Sequence, residues 1–352
     1  MRKKILMFLQ SEVGGAERVT ITIGKNLSKE QFSVFFYSVG PWENKVLHFI
    51  PTGMFRHHIK TSNPIKQLFG MWKAIKTENP DIIFSSVLNI NTKLLLLRFL
   101  LPQKKIIIRS DNNFNVFSKK QQFMIRHLYP KANIIIAQTD EMKDGFSREG
   151  HINESKILVL SNPVDIGTIT ERLNGAISPY HQTDGKVFVA SGRFAKAKGF
   201  DILVKAFALV KKEIFNAELY IVGRTGEGEN KYYDTVKSII EENNLSESIH
   251  CIGFQDNPYP YIKYADCFVL SSRYEGLPNV LLEALYLNRP VAATTCIPVI
   301  SRLIQNGVNG FTADPENPES LATAMKNAIA LKNANSICPP TSNDQFQKLF
   351  YD

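Results

Sequence analysis

Short, continuous apolar runs alternate with amphipathic stretches along most of the chain. Strand-like runs lie at Ile5 to Leu9, Ser33 to Val39, Ile82 to Ser85, Lys105 to Arg109, Ile134 to Gln138 and Ile157 to Leu160. Helical spacing falls between most of them, near Ala16 to Leu27, Ile65 to Thr77, Thr92 to Leu100, Lys119 to Tyr129 and Glu141 to Arg148. Apolar strands separated by helices predict parallel sheets covered on both faces. The pattern lapses from about Asn162 to Gly185, where Asn-Pro, Ser-Pro, Gly and polar residues gather as in a linker.

The alternation then restarts. Strands are expected at Val187 to Ala190, Glu218 to Val222, Ile249 to Ile252, Cys267 to Ser271 and Pro290 to Ala293. Helices are expected at Gly199 to Val210, Asn230 to Asn243, Tyr259 to Lys263, from Pro278, near Val299 to Gln305, and over Pro318 to Leu331. This order predicts two consecutive doubly wound α/β domains, over residues 1–165 and 186–335, joined by a linker at 166–185 and followed by a tail at 336–352 that could return to the first domain. Ligands of such sheets bind at the carboxyl ends of strands, and a cleft between two such domains is the expected shared site.

Composition narrows this picture. The chain has 352 residues, 44% of them apolar, and a mean hydropathy of -0.14. Its longest apolar candidate for a membrane span, Leu94 to Leu101, is broken by Arg98 and falls far short of the roughly 20 residues a bilayer requires. The basic opening Met1-Arg2-Lys3-Lys4 leads into too short an apolar stretch for a secretion signal and fits a first strand, so a cytoplasmic protein is expected. Cys251, Cys267, Cys296 and Cys338 lack metal-ligand spacing and fit reduced, mostly buried thiols. A formal charge of +9 calls for an anionic partner. No zinc finger, aromatic RNA-binding signature or long basic run is present, which disfavours nucleic acid and leaves phosphorylated small molecules or an anionic membrane surface.

Candidate chemistry sits where the alternation places strand ends. Ser11-Glu12-Val13-Gly14-Gly15-Ala16-Glu17-Arg18 follows the first strand, and Gly14 and Gly15 would let the backbone approach a phosphate at a helix start. The same glycines also suit a plain tight turn, and they lack the three spaced glycines of a dinucleotide fingerprint. Arg193 and Lys198 bracket the loop Ser191 to Gly199, where two cations could clamp a diphosphate. Gly223 and Arg224 open a further glycine-rich turn, Val222 to Gly228. Tyr274 to Glu283 holds Glu275 and Glu283 eight positions apart, and Pro is favoured at a first helical position, so a helix is expected to start at Pro278. Its first amides and dipole suit phosphate, although two surface glutamates on an ordinary amphipathic helix would read the same way. Ile65 to Lys76 is a basic helix with Leu68, Trp72 and Ile75 along one face, which suits packing on its own sheet and also a membrane surface. His57, His58 and His127 have no identifiable partner carboxylate.

Taken together, these motifs resemble the GT4-like retaining glycosyltransferases of the two-Rossmann-domain (GT-B) type. The resemblance rests on Gly14-Gly15-Ala16-Glu17-Arg18, Asn162-Pro163-Val164-Asp165, Gly192 to Gly199 and Ser271 to Ala284, in the family's order across nearly the whole chain. It implies that Arg193 and Lys198 hold the donor diphosphate, that Glu275 contacts the transferred sugar, and that Gly276 and the Leu277, Pro278, Asn279 and Val280 backbone meet the phosphates. Glu283 would hold the ribose and Gly15 would approach the diphosphate. It further implies a nucleotide-sugar co-substrate, a glycan or lipid-linked acceptor, and no separate cofactor. Three features depart from the pattern. The family's first-domain histidine is missing from Ile108-Arg109-Ser110-Asp111-Asn112-Asn113, where Asp111 or Asn112 would take the polar role with Arg109 on the acceptor side. Thr294 to Val299 lacks the family's glycines. Relatives usually carry a final helix that returns to the first domain, whereas Asp344 to Tyr351 offers at most two turns. A nucleotide-sugar epimerase of similar architecture and a non-catalytic binding protein are the rival readings. Because no Asp-x-Asp lies near a strand end, transfer is predicted to be independent of a metal: activity should persist in EDTA, and a loss restored by manganese would refute this.

Overall fold

The apolar runs fold as strands buried on both sides. The computed structural model describes residues 2–12, 14–41, 46, 49–180, 185–225, 230–331 and 343–351. Two compact units divide between Pro163 and Val164. The first contains β1 (Lys3–Gln10), α1 (Gly15–Asn26), β2 (Phe32–Gly40), β3 (Phe55–Lys60), α2 (Pro64–Glu78), β4 (Ile82–Ser85), α3 (Leu88–Leu96), β5 (Lys105–Arg109), α4 (Lys119–Leu128), β6 (Ile134–Ala137), α5 (Asp140–Asp144) and β7 (Ile157–Val159). The second contains α6 (Ile166–Leu173), β8 (Val187–Ser191), α7 (Phe200–Glu213), β9 (Glu218–Val222), α8 (Asn230–Glu242), β10 (Ile249–Gly253), α9 (Tyr259–Tyr264), β11 (Cys267–Leu270), α10 (Asn279–Tyr286), β12 (Val291–Thr294), α11 (Pro298–Leu303), β13 (Gly310–Ala313) and α12 (Pro318–Ile329). The last helix, α13 (Asn343–Tyr351), belongs to the first unit again.

Each unit is built on one parallel sheet. The first has strand order β3-β2-β1-β4-β5-β6-β7 and the second β10-β9-β8-β11-β12-β13. Side chains alternate across each strand, so Leu6 and Phe8 face one layer while Ile5, Met7 and Leu9 face the other. The first layer is filled by α2, α3 and α4, for instance through Met71, Leu94 and Ile125. The opposite layer is filled by α1 and α13, through Val19, Ile23, Phe346 and Phe350. In the second unit α7, α8 and α12 cover one face, and α9, α10 and α11 the other.

Four elements depart from the sequence expectation. β3 has the sequence Phe-Arg-His-His-Ile-Lys and lies at the sheet edge, largely exposed, so it carries no apolar run. β13 is likewise a four-residue edge strand. The stretch read as a linker holds α6, whose amphipathic turns are capped by Asp165 accepting from the Thr168 N–H at 3.1 Å. The tail helix is also longer than two turns, with nine residues in α13. Residues 336–342 of the tail, and Cys338 with them, lie outside the described residues. Cys251, Cys267 and Cys296 carry free thiols, of which Cys267 is buried and the other two are half-buried. On α2, Leu68 and Trp72 pack against the core beside buried Ile75, so the face singled out in the sequence is the inner one.

Phe350 anchors α13: it is fully buried and meets the Phe84 ring edge-on at 5.6 Å. Phe350→Ala should lower stability by about 3–5 kcal/mol, measured by urea denaturation. A loss below about 1 kcal/mol would show that α13 does not hold this face of the sheet.

Candidate active site

The second unit gathers its charged residues at neighbouring strand ends. β8 and β11 are adjacent and parallel, so the loops after them lie side by side. The first loop runs to Gly199, in the left-handed region at φ 63°, where an added Cβ would stand 2.1 Å from the Ser271 carbonyl oxygen. Only glycine fits there without shifting the second loop. Further hydrogen bonds tie the two loops together. Ser271 Oγ donates to the Lys198 carbonyl at 2.8 Å and the Arg273 N–H donates to the Ala197 carbonyl at 2.7 Å, while Thr294 Oγ1, at the end of β12, donates to the Ser272 carbonyl of the second loop at 2.6 Å.

This stitching brings Lys198 and Glu275 together across 77 residues of sequence. Lys198 Nζ donates to Glu275 Oε1 at 2.5 Å, and the same oxygen accepts from Ser272 Oγ at 2.7 Å. The Lys198 side chain is 23% exposed and that of Glu275 12% exposed, so the pair is shielded but reachable. Burial, followed by the Glu275 charge, pushes the neighbouring Cys296 thiol up to about 12. Arg193 lies in the same loop with its side chain exposed. Gly223 presses on this loop from β9: a Cβ there would meet the Gly192 carbonyl oxygen at 1.7 Å, and the Phe194 N–H donates to the Arg224 carbonyl at 3.0 Å. The Arg224 guanidinium lies over the Phe254 ring at 5.7 Å. Gly226 to Gly228 of that turn lie outside the described residues.

α10 begins one residue later than expected, with Pro278 as its N-cap rather than its first residue. Gly276 is half-buried, Leu277 and Pro278 are buried, Asn279 and Val280 form the first helical positions, and Glu283 sits half-buried on the second turn. A supporting pair that the sequence did not single out lies beside this site. Arg273 donates two hydrogen bonds to Asp201, at 2.8 and 2.7 Å, and a third to Glu316 at 2.5 Å, while Tyr232 donates to Asp201 at 2.5 Å. Burial pushes the Asp201 carboxyl up, but Arg273 and Tyr232 outweigh it and hold the group at about 2.

The first unit has its own polar centre at the ends of β1, β5, β6 and β7. Gly14 caps α1, and its N–H donates to Glu17 Oε2 at 3.1 Å. Glu17 is buried, and that burial, with a further push from Asp111, raises its carboxyl to about 7. Gly15 opens α1 beside it, and Val13 lies outside the described residues. Arg109 is 1% exposed and donates from Nη2 to Asn162, which in turn donates to Gln138 at 3.0 Å. Among the described residues its Nε and Nη1 have no hydrogen-bond partner, and neither do the buried Asp111 Oδ1 and Asn113 Oδ1. Burial lowers Arg109 to about 10, and Asp111 and Glu17 counter that shift. Burial raises Asp111, with Arg109 opposing. Asn112 supplies its carbonyl to Ser110 Oγ at 2.9 Å. Buried donors and acceptors left open side by side are where a hydroxylated ligand or water binds. Glu17 and Asn162 belong to this centre, and only their motifs marked them in the sequence. His58 is occupied elsewhere, its Nδ1 lying 2.7 Å from Ser38 Oγ, and His127 Nδ1 lies 2.8 Å from the Phe123 carbonyl.

Charged and polar groups gathered at strand ends in each of two Rossmann-like units mark a candidate enzyme site, and the sequence comparisons give the family. The Glycosyltransferase Family 4 profile matches residues 13–168 and that of Glycosyl transferases group 1 matches residues 178–339. The chain belongs to this group of GT4-like glycosyltransferases. It is similar to an uncharacterized glycosyltransferase of Methanocaldococcus jannaschii, at 28% identity over 67% of this chain and 63% of that protein. It is also 28% identical, over 63% of this chain, to the N-acetylgalactosamine-N,N'-diacetylbacillosaminyl-diphospho-undecaprenol 4-alpha-N-acetylgalactosaminyltransferase of Campylobacter jejuni, of whose length it spans 57%. These matches therefore cover under two thirds of either relative. The capsular polysaccharide biosynthesis glycosyltransferase CapH of Staphylococcus aureus is 27% identical over 94% of this chain and 92% of its own length. Among solved structures, Anabaena HepE in complex with UDP and glucose aligns with a TM-score of 0.80 at 20% identity, covering 99% of this chain and 98% of that one. That likeness is one of fold, GT-B.

The Glu17 shift fixes the sign of a pH dependence. In the folded chain the carboxyl keeps its proton to about pH 7, whereas the unfolded chain releases it near 4.5. The stability it contributes is therefore full below 4.5 and is lost as pH rises through 7. Glu17→Gln should gain up to about 3 kcal/mol over the parent near pH 8 and almost nothing near pH 4, read by urea titration at both pH values. An equal effect at the two would refute the buried, proton-holding carboxyl.

Proposed function

We propose that this chain moves a hexose or N-acetylhexosamine from a UDP-sugar to a glycan or lipid-linked glycan acceptor, with retention at the anomeric carbon and without a metal, in the synthesis of a surface polysaccharide or glycoconjugate. The observation that carries this reading is the shielded Lys198–Glu275 pair at the ends of β8 and β11, just before α10. In transfer, the bond between the sugar and the diphosphate breaks, the nucleoside diphosphate leaves with the electron pair, and an acceptor hydroxyl bonds to the sugar. Lys198 has three N–H donors and Glu275 takes one, so the ammonium can meet a departing phosphate while it remains positioned by Glu275. Arg193 supplies a second cation, and the positive end of the α10 dipole lies on the same side of the sheet. Glu275, fixed by Ser272 and Lys198, presents its second carboxylate oxygen to the sugar hydroxyls. Glu283 holds the ribose.

On the acceptor side, the open Arg109 N–H groups and Asp111 Oδ1 suit hydroxyls that both accept and donate. Asn112 lines the same loop, and Asp111 takes the part that a histidine plays in the family. The names of the Campylobacter and Staphylococcus relatives, a diphospho-undecaprenol glycan and a capsular polysaccharide, support an acceptor of this class met at the cytoplasmic face of a membrane. UDP in the Anabaena protein supports the nucleotide.

The test compares UDP-, GDP- and ADP-sugars for thermal stabilisation and for nucleotide release with and without acceptor. UDP-sugars should stabilise the chain and release UDP only in transfer. Conversion of the donor alone would mark an epimerase, and stabilisation without any turnover a binding protein. Lys198→Ala should lower kcat by about 10²–10³-fold. Glu283→Ala should weaken donor binding, and unchanged donor affinity would remove its ribose role.

A further inference from the structure

Segments that follow four different strands of the second unit meet at one guanidinium. Arg273, in the loop after β11, has a side chain only 15% exposed. Its Nη1 donates to the Lys196 carbonyl at 2.9 Å and to Asp201 Oδ1 at 2.8 Å, Nη2 donates to Asp201 Oδ2 at 2.7 Å, and Nε donates to Glu316 Oε1 at 2.5 Å. The Arg273 backbone N–H adds a bond to the Ala197 carbonyl at 2.7 Å. Lys196, Ala197 and Asp201 follow β8, the first two in its loop and the third in the first turn of α7, while Glu316 follows β13. Tyr232, in the α8 helix after β9, closes the set: its hydroxyl donates to Asp201 Oδ1 at 2.5 Å and accepts from the Asp201 N–H at 3.3 Å.

Neutralising one carboxylate requires less than this. A planar guanidinium offers its donors in a rigid fork, so a contact made by one nitrogen fixes the directions of the others. The fork grips three groups, and one of them, Glu316, is presented from a left-handed backbone at φ 58°, a conformation that favours glycine. The carbonyls held by Arg273 belong to the two residues just before Lys198, and Arg273 itself stands two positions before Glu275. At the far end of both segments Lys198 Nζ meets Glu275 Oε1. The brace and the ion pair are the base and the tip of one frame between two loops, and the base sets the distance across which the tip must close.

We propose that Arg273, anchored by Asp201, is a positioning residue that sets where the Lys198 ammonium stands beside Glu275, so that the cation is in place for the departing phosphate before a donor binds. The role rests on the donor reading of the Lys198–Glu275 pair and acts only through Lys198. Binding of UDP and of uridine monophosphate, measured by calorimetry, tests it without an acceptor, because only UDP carries the phosphate that departs from the sugar. Lys198→Ala should weaken UDP binding and leave that of uridine monophosphate unchanged. Arg273→Lys keeps the charge but not the fork, and should weaken UDP binding by about tenfold with the monophosphate again unchanged. Introduced into Lys198→Ala, it should weaken UDP binding by less than about twofold more. Tyr232→Phe removes one bond to Asp201 and no charge; it should show the same pattern at about threefold, and it decides the matter if the arginine variant does not fold. Unchanged UDP binding in these two variants, losses that add fully in the double variant, or losses that fall equally on UDP and the monophosphate overturn the positioning role. A parent that binds UDP no more tightly than the monophosphate would refute the donor reading, and the role with it.

Discussion

The fold depends on one constraint: a parallel strand flanked by crossovers is buried on both faces, and each face must be covered by something apolar. In the first unit α2, α3 and α4 all lie on one side of the sheet. α1 covers the other side, and it is joined there by α13. Phe346, Leu349 and Phe350 complete the layer that Ile82, Phe84, Ile107 and Ile136 present. Without them, Phe84 would lose the ring that packs edge-on against it. The second unit closes its layers with helices drawn from its own continuous sequence.

The same burial drives charged groups to the strand ends, where they are held close and partly dry. Lys198 and Glu275 are adjacent because β8 and β11 are adjacent, and their loops are fixed by backbone contacts as much as by side chains. A short, shielded ion pair is costly to desolvate and is maintained by its geometry, here by Ser272, Gly199 and the Arg273–Asp201 brace behind it. In the first unit the balance differs. Arg109 is buried with open N–H groups, and the two carboxyls that would neutralise it, Glu17 and Asp111, are both pushed toward their protonated forms by burial. One polar centre is held in place by its own partners, and the other rests on buried groups with hydrogen-bonding capacity to spare.

Most of the fold was legible because strands buried on both faces leave continuous apolar runs. β3 was not, since an edge strand written Phe-Arg-His-His-Ile-Lys has no need of such a run. α6 was hidden by Gly167 and by the surrounding polar and Pro-rich stretch, although Asp165 and Thr168 stand at cap spacing. In the candidate site, motif and resemblance marked Lys198 and Glu275 separately, but their contact follows from strand order, which no local spacing reveals. The Arg273–Asp201 brace was missed for the same reason, its partners standing 72 positions apart. Burial of Glu17 was equally invisible, because a glutamate three residues after a cap glycine reads first as a capping residue.

α13 has a further consequence, for biogenesis. A ribosome makes the seven strands of the first sheet early, but the helix that completes one of its faces is made only after the whole second unit. Vectorial synthesis therefore leaves the first unit waiting, with part of an apolar face uncovered, while its neighbour acquires every residue it needs. The expected order of maturation is reversed: the unit that emerges second can finish first, and the one that emerges first is sealed by a helix made after it.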